Sequence, residues 1–195
     1  MKTYSTQEVL QDPKNMKVWL YGHTLAEVLK KEYENVTLTP KMMESDFIKA
    51  AYQGKSWRHD YGQHLRMSIE SPEFIIEFNA LNETTVDLFT IVVANKGQGL
   101  GNDLMLAIMT IADVSDTDIS LVPVAMNSTD DVLEADKAAQ WLRDWYDCMR
   151  FSECEDSPEM IYHANFLDKA ITGDHYGRIG LKQTQTTTYN NRIKV

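Results

Sequence analysis

A mixed α/β domain, with a central sheet flanked by helices, is the fold class the sequence predicts, and three observations carry it. The hydrophobic period changes from helical to alternating near His64. Three strand-like segments, the first alternating and the third rich in β-branched residues, then follow one another with short turns between them. A glycine-rich stretch after the third opens an amphipathic helix, and a strand, a helix and a short hairpin complete the pattern. At 195 residues the chain falls within the range of one compact unit, and 43% hydrophobic residues supply a core.

Taken in order, residues 17–32 place Val18, Leu20, Tyr21, Leu25, Val28 and Leu29 at mixed three-and-four spacing, the pattern of a helix. Thr37-Leu-Thr-Pro40 reads as a break, because Pro40 pushes its predecessor out of the helical region. A second helix is expected over residues 45–57 from Phe47, Ile48, Ala51 and Tyr52, with Ser45 as N-cap and Gly54 as its end. Strands are expected at His64-Leu-Arg-Met-Ser-Ile-Glu70, at Phe74-Ile-Ile-Glu-Phe78 and over the β-branched residues 84–93. Lys96-Gly-Gln-Gly-Leu-Gly101 leads into a helix from Asn102 that ends among the aspartates at 113–118. Residues 119–125 read as a strand, and residues 133–149 as a helix with Trp141, Leu142, Trp145 and Cys148 or Met149 on one side. Phe151-Ser-Glu-Cys154 and Glu159-Met-Ile-Tyr-His163 close the pattern as a hairpin. The domain is expected to span residues 1–168, with 169–195 a polar C-terminal extension that has little to bury. No internal repeat of 20 to 50 residues is visible, which excludes solenoids and propellers.

Charge narrows the function classes. Nineteen basic and twenty-nine acidic side chains give a net charge of −10, which repels polyphosphate and attracts cations. Nucleic acid is therefore not an expected partner; Lys30, Lys31, Lys49, Lys55 and Arg58, all in the N-terminal region, are the one place where basic residues gather. No apolar run approaches the roughly 18–20 residues of a membrane span, and the first residues carry no apolar signal core, so no membrane association and a cytoplasmic location are expected. Cys148 and Cys154 cannot build a disulfide framework and read as a buried thiol and a strand thiol. His59-Asp60-Tyr-Gly-Gln-His64 lacks the helical spacing of a metal pair, and Asp113, Asp116 and Asp118 lack the glycine and glutamate of a calcium loop and read as a solvated turn. No metal is expected.

The stretch that carries chemistry is Ile91-Val-Val-Ala-Asn-Lys-Gly-Gln-Gly-Leu-Gly-Asn102. Glycines at alternate positions between a strand and a helix let the backbone turn tightly, so that amide N–H groups and the positive end of the helix dipole converge on one point. That is an anion cradle. It has neither the G-x-x-x-x-G-K-[ST] form of a P-loop nor the βαβ setting of a dinucleotide fold, since three antiparallel strands are expected before it.

Lys96-Gly-Gln-Gly99-Leu-Gly101 resembles the pyrophosphate loop [RQ]-x-x-G-x-[GA] of the GNAT superfamily of acyl-CoA-dependent N-acyltransferases, with Lys in the first place. Fifty residues on, Trp145-Tyr-Asp-Cys-Met-Arg-Phe151 is similar to the family's aromatic-Tyr-x-x-x-Gly-Phe, with Arg150 in place of the glycine. The resemblance extends over residues 15–166. It implies a GNAT-like mixed sheet, acetyl-CoA as the acyl donor and a primary amine as the acceptor, with the net charge favouring a cationic small molecule or a basic protein. The backbone of Ile91, Val92 and Val93 would pair with the pantetheine amides, and Lys96, Gly97, Gln98, Gly99, Leu100, Gly101 and Asn102 would hold the pyrophosphate. Tyr146 falls where the family places the acid for the departing thiolate; read from its neighbours Trp141 and Trp145, it is equally a packing aromatic. Asp87 and Glu77 are the candidates for the general base, with Glu83 a third, each alternatively a solvated surface carboxylate. The family's asparagine has a rough counterpart in Asn127, and the segment around His59 and His64 falls where the family's acceptor pocket is bordered. A homodimer is compatible with this reading. Small divergent members occur in bacteriophages, and a GNAT-fold binding, regulatory or phage structural protein without transfer activity is the alternative.

Overall fold

The computed structural model describes residues 9–95, 97–124 and 131–164; Lys96, Asn127, the inserted Asp130 and the polar extension lie outside the described residues. Helix α1 (Pro13–Glu32) starts where Asp12 accepts a hydrogen bond from the Lys14 amide at 3.1 Å, with Pro13 in the first turn and Lys30 and Lys31 in the last. Its apolar stripe, Val18, Tyr21, Leu25, Ala26 and Leu29, is buried. Strands β1 (Thr37–Met43), β2 (Phe47–Tyr52) and β3 (Lys55–Asp60) follow, then β4 (His64–Glu70), β5 (Phe74–Ala80) and β6 (Thr85–Val93). Helix α2 (Leu100–Ser115), β7 (Asp118–Leu121), α3 (Val132–Cys148), β8 (Ser152–Glu153) and β9 (Met160–Tyr162) complete the order.

Seven strands form one mixed sheet in the order β1-β4-β5-β6-β7-β9-β8, with β6 and β7 parallel and the remaining neighbours antiparallel. The expected fold class, a mixed sheet flanked by helices, is what the chain adopts. Leu65, Met67, Ile69, Phe74, Ile76, Phe78, Val86, Leu88 and Ile119 join Val18, Leu25, Leu104 and Ile108 in one buried core between the sheet and helices α1 and α2. Tyr21 ties the two helices together: its hydroxyl donates to the Ile108 carbonyl at 2.6 Å.

Two expectations are overturned. Residues 45–57 form no helix; β2 and β3 pair as an antiparallel hairpin with Tyr52 opposite Lys55 and the turn at Gln53-Gly54, whose φ values are 50° and 71°. Gly54 therefore marks a two-residue hairpin turn with positive φ at both positions, which favours glycine. Thr37-Leu-Thr-Pro40 is not a break but part of β1, which lies at the sheet edge, where a proline is tolerated. The hairpin leans on α3: the Gly54 amide donates to Asp136 Oδ2 at 3.0 Å, and Asp136 also holds the buried Arg143 at 2.6 Å. Lys49 and Arg58, paired across the hairpin, both sit over the exposed Phe47 ring.

Helix α3 begins at Asp131, whose carboxylate accepts from the Leu133 and Glu134 amides. The face it buries is Ala139, Arg143 and Tyr146; Trp141, expected on the packed side, is 68% exposed and stacks parallel to Trp145 at 6.4 Å. Cys148 is exposed rather than buried, and Cys154 lies just past β8 and is half-buried. The aspartates at the end of α2 are structural: Asp113 accepts from the Tyr162 hydroxyl at 3.0 Å, and Asp118 binds His163 and the Ala164 amide at the same distance. Among the described residues no group of side chains is suited to a metal ion and no helix is long and apolar enough to cross a membrane.

Candidate functional site

The site is built on β6. Its first residues, Thr85–Asp87, pair with Asp118–Ser120 of β7, and there the parallel ladder stops. β7 ends at Leu121, two residues before Pro123, which has no N–H to offer a ladder. β6 runs on to Val93 against β5 alone, so its β7-side edge is open over Ile91, Val92 and Val93 among the described residues. A bulge at Phe89 interrupts the β5–β6 register, since Phe78 faces Leu88 while Glu77 faces Thr90. The extra residue restores the core-facing parity for Ile91 and Val93, both packed against the core.

The glycine loop behaves as its sequence requires. Gly97 and Gly99 adopt φ of 81° and 83°, left-handed conformations that favour glycine, and Gly99 caps α2. The Asn102 and Asp103 amides donate back to the Gly99 carbonyl at 2.8 and 3.2 Å. The amides of Leu100 and Gly101 stand at the head of the helix, where no preceding carbonyl is in helical register to take them. A Cβ added at Gly97, Gly99 or Gly101 would meet nothing within 4 Å, so the loop is open on its outer side. Gln98 is exposed, Leu100 packs partly on the core, and Asn102 Oδ1 accepts from Trp145 Nε1 at 3.1 Å, joining α3 to the first turn of α2. Asp103, also in that turn, complements the helix dipole and competes for it with any bound anion.

At the point where β6 and β7 part, Asp87 is 3% exposed. Burial pushes its carboxyl up to about 7, against a hydrogen bond that pulls it down: the Tyr61 hydroxyl donates to Asp87 Oδ2 at 2.7 Å. The Glu159 charge adds to the rise and the Arg66 charge opposes it. Asn79 lies directly across the ladder from Asp87, and its Oδ1 accepts from Arg66 Nε at 2.8 Å. Arg66 also binds Asp46 and lies over the Phe89 ring at 3.9 Å. Asn79 Nδ2 and His64 Nε2 are buried with no hydrogen-bond partner among the described residues, and burial lowers the His64 pKa. Tyr61, in the loop after β3, has its ring 4.7 Å from His59, 5.3 Å from His64 and 6.0 Å from Phe89. His59 Nδ1 is 3.9 Å from Glu159 Oε1.

Among the base candidates Asp87 is the buried one, and burial brings its carboxyl to about 7. Glu77 is half-buried on the same sheet face, opposite Thr90, and Glu83 is exposed in the turn at the other end of β6 from the glycine loop. Tyr146 is 6% exposed, with ring centroids of Trp145 and Phe151 at 4.7 and 5.5 Å, and burial raises its pKa so that the phenol stays protonated. Sequence reading missed Tyr61, Asn79 and Arg66 as parts of the Asp87 cluster. The signal for Tyr61 was its place between the two histidines; Asn79 and Arg66 sit on strands whose alternation marks them only as turned away from the core.

Arg150, in the place of a glycine, has φ of 69°, a left-handed conformation costly to a residue with a Cβ. Arg150→Gly is expected to stabilise the fold by about 0.5–1 kcal/mol, the relief of strain exceeding the added freedom of the unfolded chain. Urea unfolding of the two proteins measures it, and a destabilised variant would contradict it.

No family model matches the chain, and no curated protein does. Among solved structures, the crystal structure of anti-CRISPR protein AcrVA5 is similar at a TM-score of 0.38 and 22% identity, over 50% of this chain and 97% of that one.

Proposed function

We propose that this chain is an acyl-CoA-dependent N-acyltransferase that moves an acetyl group from acetyl-CoA to a primary amine, with Asp87 taking the proton the amine loses. The observation that carries the reading is a buried carboxyl poised near neutrality where β6 leaves β7, on the same strand that runs into an open glycine-lined helix head. A base of that pKa is matched to deprotonating an amine at physiological pH. The free edge of Ile91, Val92 and Val93 would take the amides of the donor's pantetheine arm, and the Leu100 and Gly101 amides its pyrophosphate. Acetyl-CoA supplies an activated thioester. The amine nitrogen bonds to the acyl carbon, the C–S bond breaks, and Tyr146 supplies the proton that the thiolate gains. The net charge of −10, with Glu159 beside the Asp87 cluster, favours a cationic acceptor such as a polyamine or the lysine of a basic protein.

Calorimetric titration of the full chain with acetyl-CoA tests the donor assignment. Saturable micromolar binding is expected, and no heat at millimolar donor would contradict it. Tyr146→Phe removes only the hydroxyl, so turnover is expected to fall roughly 10²-fold with donor affinity kept. Wild-type turnover in that variant would leave Tyr146 a packing residue. The alternative is a binding or regulatory protein that keeps the donor site without transfer. It predicts donor binding without amine-dependent release of the thiol.

A further inference from the structure

Asp87 cannot meet an acceptor directly. At 3% exposure its carboxyl lies beneath Tyr61, whose hydroxyl donates to Oδ2 at 2.7 Å, and the half-buried Tyr61 ring is what stands between the carboxyl and the neighbouring His59. We propose that the Tyr61 hydroxyl is the conduit through which the acceptor's proton reaches Asp87, an inference that rests on the acyltransferase reading. As the C–N bond forms, the amine N–H bond breaks and its proton bonds to the Tyr61 oxygen. The Tyr61 O–H bond breaks in the same event and that proton passes to Asp87 Oδ2. Tyrosine ends neutral, as it began, and Asp87 ends as the neutral acid.

The surroundings fit a concerted transfer. Burial and the adjacent Asp87 charge raise the Tyr61 pKa far above its ordinary value, so the phenol does not ionise on its own and hands on a proton only as it receives one. The charged and titratable groups facing the pair are Arg66 from β4, His64 beside it, His59 from β3 and Glu159 ahead of β9. Arg66 is fixed by Asp46 and Asn79, which keeps a permanent positive charge beside the carboxylate state. Phe89, the bulge residue, meets the Tyr61 ring edge-on at 6.0 Å.

Tyr61→Phe keeps the ring and removes the conduit. Turnover is expected to fall roughly 10²-fold or more while acetyl-CoA affinity holds, and the acidic limb of the pH profile should move up, because the hydrogen bond that lowers the Asp87 pKa is gone. A tyrosine that only donates this hydrogen bond would move the same limb and leave turnover above it near wild type. A proton inventory on wild type, measured in mixtures of light and heavy water, needs no variant and is expected to curve, with two protons in flight. Near-wild-type turnover above that limb in Tyr61→Phe, or a linear inventory, would overturn the relay while leaving the acyltransferase reading intact. Absence of donor binding or transfer in wild type would overturn both.

Discussion

Asp87→Asn is expected to lower acetyl transfer by two to four orders of magnitude and, at the same time, to make the folded chain more stable above pH 7. The first effect is the ordinary contribution of a general base, roughly 10²–10⁴-fold. The second follows from its pKa. In the fold the carboxyl titrates at about 7, and in the unfolded chain near its ordinary value of about 3.9. Between those values the native state holds a proton that the unfolded state has released, so stability falls as pH rises through the window and the full penalty applies above 7. A shift of this size corresponds to a penalty on the order of 4 kcal/mol, which asparagine does not incur because it never ionises. The gain in the variant should therefore vanish below about pH 4 and be largest above pH 7. Denaturant titrations at pH 5 and pH 8 measure it. A variant that is less stable at pH 8 would show that burial does not raise the carboxyl's pKa, and a fully active one that the carboxyl is not used as a base.

Gly101→Glu is expected to abolish donor binding without unfolding the chain. A Cβ at Gly101 enters open space, and a glutamate in the first turn of a helix is favoured by the dipole, so a cooperative fold should persist. The same charge stands where a pyrophosphate would approach the Leu100 and Gly101 amides. Two like charges about 4 Å apart near a protein surface repel by about 4 kcal/mol, which is roughly a 10³-fold loss of affinity. Calorimetry against acetyl-CoA reads the loss, thermal unfolding checks the fold, and unchanged affinity would remove the loop from the site. Asp103 already holds a charge in this turn, so its asparagine variant is expected to bind more tightly, and more so at low salt.

Much of this architecture is legible in sequence because strand β4 alternates cleanly, with Leu65, Met67 and Ile69 on one side and Arg66 and Ser68 on the other, and residues 84–93 are rich in β-branched residues. The glycine loop is legible for a different reason, since Gly97 and Gly99 adopt conformations that few other residues tolerate. The β2–β3 hairpin reads as a helix in sequence because Phe47, Ile48, Ala51 and Tyr52 fall at helical spacing, and a six-residue strand is too short for its own period to overrule that. Gly54 ends a helix or makes a tight turn with equal ease. That error hid the Asp87 site. Tyr61 reaches Asp87 only because the chain doubles back through the hairpin before entering β4, and pairing across twenty-six positions leaves no trace in local pattern. The buried state of Asp87 is similarly a tertiary property, since Thr-Val-Asp-Leu reads the same whether the aspartate faces water or lies beneath a tyrosine.

Release of the CoA thiol from acetyl-CoA, followed across pH with a panel of polyamines and basic peptides as acceptors, tests the central claim most directly. The account predicts release that depends on the amine, saturates in both substrates and has an acidic limb near pH 7 that is lost in Asp87→Asn. Saturable donor binding with no amine-dependent release at any pH would contradict it and leave a protein that binds acyl-CoA without transferring the acyl group.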